Sequence, residues 1–204
     1  MTPRTTGLVA ILRGVTPVDA VAVATAVLDA GFDAVEVPLN SPDPLESVRR
    51  IRAAVGLGRR VGAGTVLTPD DVRRAADAGA SLVVSPNTRA DVVAETVRLG
   101  LESYPGAATP TEAFAALDAG ATAVKIFPAA TVGVSGMRAW ASVLPTGARL
   151  VPVGGVDEST LGAWARAGAD GAGIGTSLYR PGDGAPAVGA RAADLVRTWA
   201  EHAR

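Results

Sequence analysis

The sequence predicts an α/β fold, a (β/α)8 barrel, on three observations. Short apolar runs alternate with alanine-rich stretches of helical composition along the whole chain. A glycine closes several of those stretches at nearly constant spacing. Threonine–proline pairs open several of them.

In chain order, the strand candidates are residues 8–12, 34–39, 61–65, 82–85, 102–105, 123–127, 150–153 and 172–175. Most are short and apolar, as strands of a parallel sheet covered on both faces are. The first helix is expected to open at Thr16-Pro17, where a hydroxyl can cap and proline suits the first helical position. Thr68-Pro69-Asp70-Asp71 repeats the signal, and Thr109-Pro110-Thr111-Glu112 adds a capping box. Helical stretches end in Leu28-Asp29-Ala30-Gly31, Ala76-Asp77-Ala78-Gly79, Leu117-Asp118-Ala119-Gly120 and Ala165-Arg166-Ala167-Gly168. Glycine there supplies the left-handed backbone that terminates a helix. The marker glycines are 48, 41 and 48 residues apart, with Gly100 ending another stretch between the second and third. The repeating unit is one strand plus one helix, and eight units make a barrel. An open doubly wound sheet is the alternative, and the evenness of the repeat favours the barrel. Residues 1–204 read as a single domain of this kind, with tight loops.

The repeat also sets a register. Five residues after each marker glycine stand Glu36, Val84, Lys125 and Gly173. They fall on the second, fourth, sixth and eighth strands, and alternate strands of a barrel supply one interior layer. Glu36 and Lys125 are therefore expected to face each other across the interior. Pro38, Pro86, Phe127 and Gly175 would form the next layer, nearer the C-terminal mouth. An acid and an amine in an apolar ring are costly to bury. A buried ion pair that merely fixed the barrel would work as well with arginine.

Arginine is what this chain otherwise uses. Among its 19 basic residues, Lys125 is the only lysine. It stands in the apolar run Ala123-Val124-Lys125-Ile126-Phe127-Pro128. A buried lysine can lose its proton and act as a nucleophilic amine, which arginine cannot. Desolvation would lower its proton affinity and a nearby carboxylate would raise it. The sequence leaves that balance open.

Composition narrows the rest. Net charge is −1 and no basic block suggests nucleic acid. Apolar runs are broken well before membrane-spanning length. The polar Met1–Thr6 segment lacks the apolar region of a signal peptide, so a cytoplasmic protein is expected. There is no cysteine, which excludes disulfides and thiolate chemistry. The single histidine, His202, stands near the C-terminus, where it is expected to be solvated. A histidine-based triad or multi-histidine metal site is thereby ruled out.

Three glycine-rich strand ends fall at the same mouth: Gly62-Ala63-Gly64-Thr65, Val153-Gly154-Gly155-Val156 and Gly173-Ile174-Gly175-Thr176-Ser177. The loops after the seventh and eighth barrel strands often hold phosphate on backbone N–H groups. Arg13, ending the first strand, should reach the mouth, where a guanidinium can clamp a carboxylate. Thr65 could add a hydroxyl donor.

Together with Ile11-Leu12-Arg13-Gly14, Val35-Glu36-Val37-Pro38-Leu39-Asn40-Ser41-Pro42, Pro105-Gly106 and Lys125-Ile126-Phe127-Pro128, these motifs resemble the class I aldolases of the 2-keto-3-deoxy-6-phosphogluconate type. The resemblance spans about residues 8–180. It implies that Lys125 forms a Schiff base and Glu36 is the general acid/base. It further implies that Arg13 and Thr65 hold a pyruvyl carboxylate, that Phe127 lines the pocket, and that Gly155, Gly175 and Thr176 bind phosphate beside Gly154. It implies a homotrimer that needs no metal, and no cofactor is expected. Pro38-Leu39-Asn40-Ser41-Pro42 and Val153-Gly154-Gly155 are similar to the branch acting on 2-dehydro-3-deoxy-6-phosphogalactonate. Gluconate-type members carry Thr-Leu-Arg, and a threonine in place of Val153. The two substrates differ only at C4, and exchanging a hydroxyl for Val153 is a physical route to the preference. Gly133-Val134, where Gly-Pro is expected, and the bulky Tyr104 depart from the pattern. The residues alone also admit a phosphosugar isomerase with Lys125 as a non-covalent stabiliser, or a non-catalytic sugar-phosphate binder.

Overall fold

The computed structural model describes residues 7–203. The Met1–Thr6 segment, read above as lacking a signal peptide, lies outside them. Strands and helices alternate: β1 (Leu8–Ile11), α1 (Ala20–Asp29), β2 (Ala34–Pro38), α2 (Pro44–Val55), β3 (Arg60–Gly64), α3 (Pro69–Asp77), β4 (Leu82–Val84) and α4 (Ala90–Arg98). Then follow β5 (Glu102–Tyr104), β6 (Gly106–Ala107), α5 (Pro110–Asp118), β7 (Val124–Ile126), α6 (Ala129–Ala141), β8 (Leu150–Pro152), α7 (Glu158–Arg166), β9 (Ala172–Ile174) and α8 (Ala185–His202).

The result is an α/β fold with a curled, all-parallel sheet. Six strands pair in the order β5-β4-β3-β2-β1-β9, and three in the order β6-β7-β8. Eight strands were expected, and nine segments are found among the described residues. Pro105 explains the difference. It has no N–H to give to a ladder, so the fifth run divides into β5 and β6, which pair in different sheets. The chain still connects them, and the Lys125 N–H donates to the Pro105 carbonyl at 2.9 Å. On the other side, Val153 just beyond β8 bridges Gly173 of β9 in parallel.

The helix signals held in most places. Thr68 caps α3 by accepting from the Asp71 N–H, and Thr109 with Glu112 forms the expected capping box on α5. Thr16-Pro17 did not start a regular helix. Thr16 instead bonds Asp19 in a turn, and α1 begins at Ala20. All five helix-ending glycines, at 31, 79, 100, 120 and 168, have positive φ. Gly133, flagged above, breaks the regular backbone inside α6 with φ 72°.

Apolar burial divides into two clusters. The larger, including Leu12, Ile51, Val61, Ile126, Leu161 and Ile174, lies between the sheet and the helices. The smaller lies on the other face of the strands and includes Val9, Ile11, Leu82, Val84, Tyr104, Val151 and Val153. Successive side chains on a strand point to opposite faces, which is why alternate residues separate so cleanly. Glu36 and Lys125 belong to this inner face.

His202 is half-buried rather than solvated. Its Nδ1 bonds the Thr198 carbonyl at 2.9 Å. Its ring packs over Gly162, where an added Cβ would lie 3.1 Å from the ring.

Candidate active site

Strand register brings the inner-face acid and amine together. Glu36 pairs beside Ile11 on one side and Gly62 on the other. Lys125 lies between Gly106 and Val151. Both side chains reach one cavity of about 410 Å³. Arg13, Thr65, Phe127, Val153, Gly154, Gly155, Gly175 and Thr176 line it as well, so every site residue expected from sequence meets there. Most of these residues stand just after a strand end, which places the cavity at the C-terminal ends of the parallel strands, where such folds bind ligands. Pro86, Phe127 and Gly175 of the second expected layer line the wall, whereas Pro38 is buried within β2.

Below the cavity, a small apolar void is bounded by Val84, Tyr104, Val151 and Gly173 together with Glu36 and Lys125. The first expected layer thus surrounds one point. Tyr104, bulky for its position, fills the floor.

The electrostatics follow from burial. Glu36 is 2% exposed and Lys125 7%. Desolvation pushes the Glu36 carboxyl up to about 7, against the opposing pull of Lys125 and Arg13. Burial likewise lowers the proton affinity of Lys125. The Glu36 charge resists that shift and the Arg13 charge assists it. Among the described residues no ion pair joins Glu36 to Lys125, and Glu36 Oε2 is buried without a hydrogen-bond partner. The Lys125 Nζ sits 4.6 Å from the Phe127 ring centroid. The cavity therefore holds an acid weakened toward neutrality and an amine of lowered proton affinity, a combination suited to proton transfer.

Backbone constraints hold this pair in place. Gly64 makes room for the Glu36 carboxylate as it lies here, since a Cβ there would overlap it. Thr65 follows with φ 55°, a left-handed conformation rare for a β-branched residue. The Leu39 N–H donates to the Gly64 carbonyl and the Val66 N–H to the Val84 carbonyl, which pins the turn on both sides.

At the other end, Gly154 and Gly155 both have positive φ, and a Cβ on Gly155 would press on Ala130 at 2.9 Å. Among the described residues, no protein group accepts from the N–H of Gly155, Thr176 or Ser177, whereas the Gly154 N–H faces β9 across the Val153–Gly173 bridge. Ser177 Oγ donates to the Val156 carbonyl at 3.0 Å and ties the two loops together. Unclaimed N–H groups on converging glycine loops suit an anion. Asp157 was not singled out from sequence, although Asp157 and Thr160 form a capping box that the sequence spells out. A larger groove of about 620 Å³ continues from Asp157 and Ser177 along α8. It contains neither Glu36 nor Lys125, and its Arg191 is paired with Asp183.

A buried amine and a buried acid at the strand ends, with an arginine and two glycine loops at the rim, are the equipment of an α/β enzyme. The chain belongs to the KDPG and KHG aldolase family, whose family model matches residues 2–183. It is 46% identical to the 2-dehydro-3-deoxy-6-phosphogalactonate aldolase of Escherichia coli (strain K12), over 95% of each chain. A solved structure described as native KDPGal is 46% identical, covers 96% of this chain and 95% of its own, and superposes with a TM-score of 0.93. A designed cube-shaped cage built by fusing symmetric oligomeric domains contains a similar chain. It is 45% identical, with a TM-score of 0.94, over 97% of this chain and 73% of that one.

Proposed function

We propose that this chain is a class I aldolase that cleaves 2-dehydro-3-deoxy-6-phosphogalactonate to pyruvate and D-glyceraldehyde 3-phosphate. One observation carries the reading. The only lysine of the chain lies buried, with depressed proton affinity, in the same cavity as an unpaired carboxyl. In this proposal the Lys125 amine adds to the C2 carbonyl, and Glu36 moves protons as water leaves to give an iminium. Glu36 then takes the proton of the C4 hydroxyl. The C3–C4 bond breaks, its electron pair flows to C3, and the aldehyde departs. The enamine is protonated at C3, and water hydrolyses the iminium, which releases pyruvate and restores the amine.

Arg13 and Thr65 would hold the carboxylate. The N–H groups of Gly155 and Thr176, with Gly154 shaping the loop beside them and Gly175 beginning the facing one, would hold the phosphate. Phe127 would flank the Schiff base, and Val153 would present an apolar wall to C4. The similarity to the galactonate-acting relative supports the choice of epimer.

The same proposal extends to architecture. The bridge from Val153 to Gly173 and the continuity of β5 through Pro105 into β6 support closure into a (β/α)8 barrel acting as one domain. Kinship with the symmetric oligomeric cage component supports an oligomer, which we take to be a homotrimer. A phosphorylated, multiply charged substrate does not cross a bilayer unaided, which favours the cytoplasm. Among the described residues no helix is long and apolar enough to span a membrane.

Borohydride reduction with pyruvate should add one covalent adduct at Lys125, and Lys125→Arg should lose both the adduct and the activity. An unmodified parent protein in the mass spectrum overturns Schiff-base chemistry and leaves the isomerase reading. Rates measured side by side should favour the galactonate epimer over the gluconate epimer. The reverse order would move the chain to the gluconate-acting branch.

A further inference from the structure

We infer that Asn40 is a positioning residue for Arg13. Its side-chain oxygen holds the guanidinium over the cavity without cancelling its charge, and so sets the affinity for the substrate carboxylate. The inference rests on the reading of Arg13 as the carboxylate clamp.

Arg13 is exposed at the rim, where an untethered arginine would sample many rotamers and lose that freedom on binding. Its hydrogen bond among the described residues runs from Nη1 to Asn40 Oδ1, at 2.5 Å. The Nε and Nη2 donors have no protein partner there, which leaves an edge free for a two-pronged grip on a carboxylate.

Asn40 is itself held. On one side the Leu39 N–H donates to the Gly64 carbonyl at 2.7 Å, and on the other the Ser41 N–H donates to the Pro38 carbonyl at 2.9 Å. Ser41 Oγ then accepts from the Gly14 N–H at 2.9 Å. The loop after β2 therefore grips both the side chain of Arg13 and the backbone that follows it. Gly14 has φ 81°, and a Cβ there would lie 2.7 Å from Pro181, so the close approach of this backbone to the β9 loop needs glycine.

The amide matters as much as the contact. A carboxylate at position 40 would orient Arg13 equally well but pair with it, leaving less charge for the substrate. An amide oxygen orients the guanidinium and leaves its full charge toward the cavity.

The two products separate this role from a general structural one, because pyruvate carries the carboxylate and glyceraldehyde 3-phosphate does not. In the synthesis direction, Asn40→Ala should raise the KM for pyruvate about tenfold. It should leave the KM for glyceraldehyde 3-phosphate, kcat and the melting temperature nearly unchanged. Asn40→Asp should also raise the pyruvate KM while keeping the contact. Arg13→Ala is the reference. If it leaves the pyruvate KM unchanged, the clamp reading itself fails. If it raises that KM and Asn40→Ala does not, or if Asn40→Ala raises both KM values together, the assignment of Asn40 is overturned. In the double variant the Asn40→Ala effect should vanish.

Discussion

The inner face of the sheet carries charge at both ends of its strands, and the two ends treat it oppositely. At the N-terminal ends, Arg60 opens β3 and Glu102 opens β5. Arg60 Nε donates to Glu102 Oε1 at 3.0 Å, and its Nη2 reaches both Glu102 Oε2 and the Tyr104 hydroxyl. The Tyr104 hydroxyl donates in turn to Glu102 at 2.9 Å. Acceptors and donors there are matched. At the C-terminal ends, among the described residues, Glu36 Oε2 has no hydrogen-bond partner and its charge faces Lys125 without a direct ion pair. Buried polar groups are ordinarily satisfied. The matched set secures the floor, and the mismatched set weakens the Glu36 acid and lowers the proton affinity of the Lys125 amine.

Glu36→Gln should break the comparison most sharply. It removes the acid/base and should lower kcat by roughly 10²–10⁴-fold. The same change should stabilise the protein above neutral pH. In the folded chain Glu36 titrates at about 7, against 4.5 as its ordinary value. Between those values the folded state holds a proton that the unfolded state releases, so stability falls as pH rises through the window. Each unit of the shift is worth about 1.4 kcal/mol. Unfolding free energies from urea titrations of the variant should match the parent near pH 4 and exceed it at pH 8, by up to about 3 kcal/mol. Equal free energies at both pH values would mean that Glu36 is not held in a destabilising environment.

The floor should respond the other way. Tyr104→Phe removes the hydroxyl shared by Arg60 and Glu102, and should cost about 1–2 kcal/mol. The kcat should stay within about twofold. Urea unfolding and steady-state rates check both halves. A large loss of kcat with unchanged stability would place Tyr104 in the chemistry instead of the floor.

Much of this contrast was legible before any coordinates. The marker glycines repeat with the strands, so counting from them placed Glu36, Val84, Lys125 and Gly173 in one layer, and they do surround one void. The lone lysine stood out because the chain otherwise uses arginine. The sign of the Lys125 shift was not legible. Desolvation and the Glu36 charge oppose each other, and only the depth of burial ranks them. Pro105 was read as the end of a strand, but its missing N–H also sends the two flanking segments to different sheets. The half-buried His202 was missed because its ring lies over Gly162, a contact set by how α8 packs on α7, while its bond to Thr198 is one turn back within α8. Asn40 stood within a recognised motif, yet its grip on Arg13 joins two loops 27 residues apart, and no local pattern announces such a contact.

Thr65 offers the smallest effect and the finest distinction. Its φ of 55° strains a β-branched residue, and strain of this kind costs on the order of 1–3 kcal/mol. Glycine would relieve it, less roughly 0.5–1 kcal/mol for the greater freedom of glycine in the unfolded chain. Thr65→Gly should therefore gain about 1 kcal/mol in urea unfolding while raising the KM for pyruvate, because the hydroxyl is lost from the cavity wall. Stability gained and affinity lost in one substitution is the opposite of the response at the floor, where Tyr104→Phe loses stability and keeps its rate. Were Thr65→Gly to destabilise the protein, the left-handed turn would be an unstrained packing solution. The contrast between the two strand ends would then rest on the unpaired charges alone.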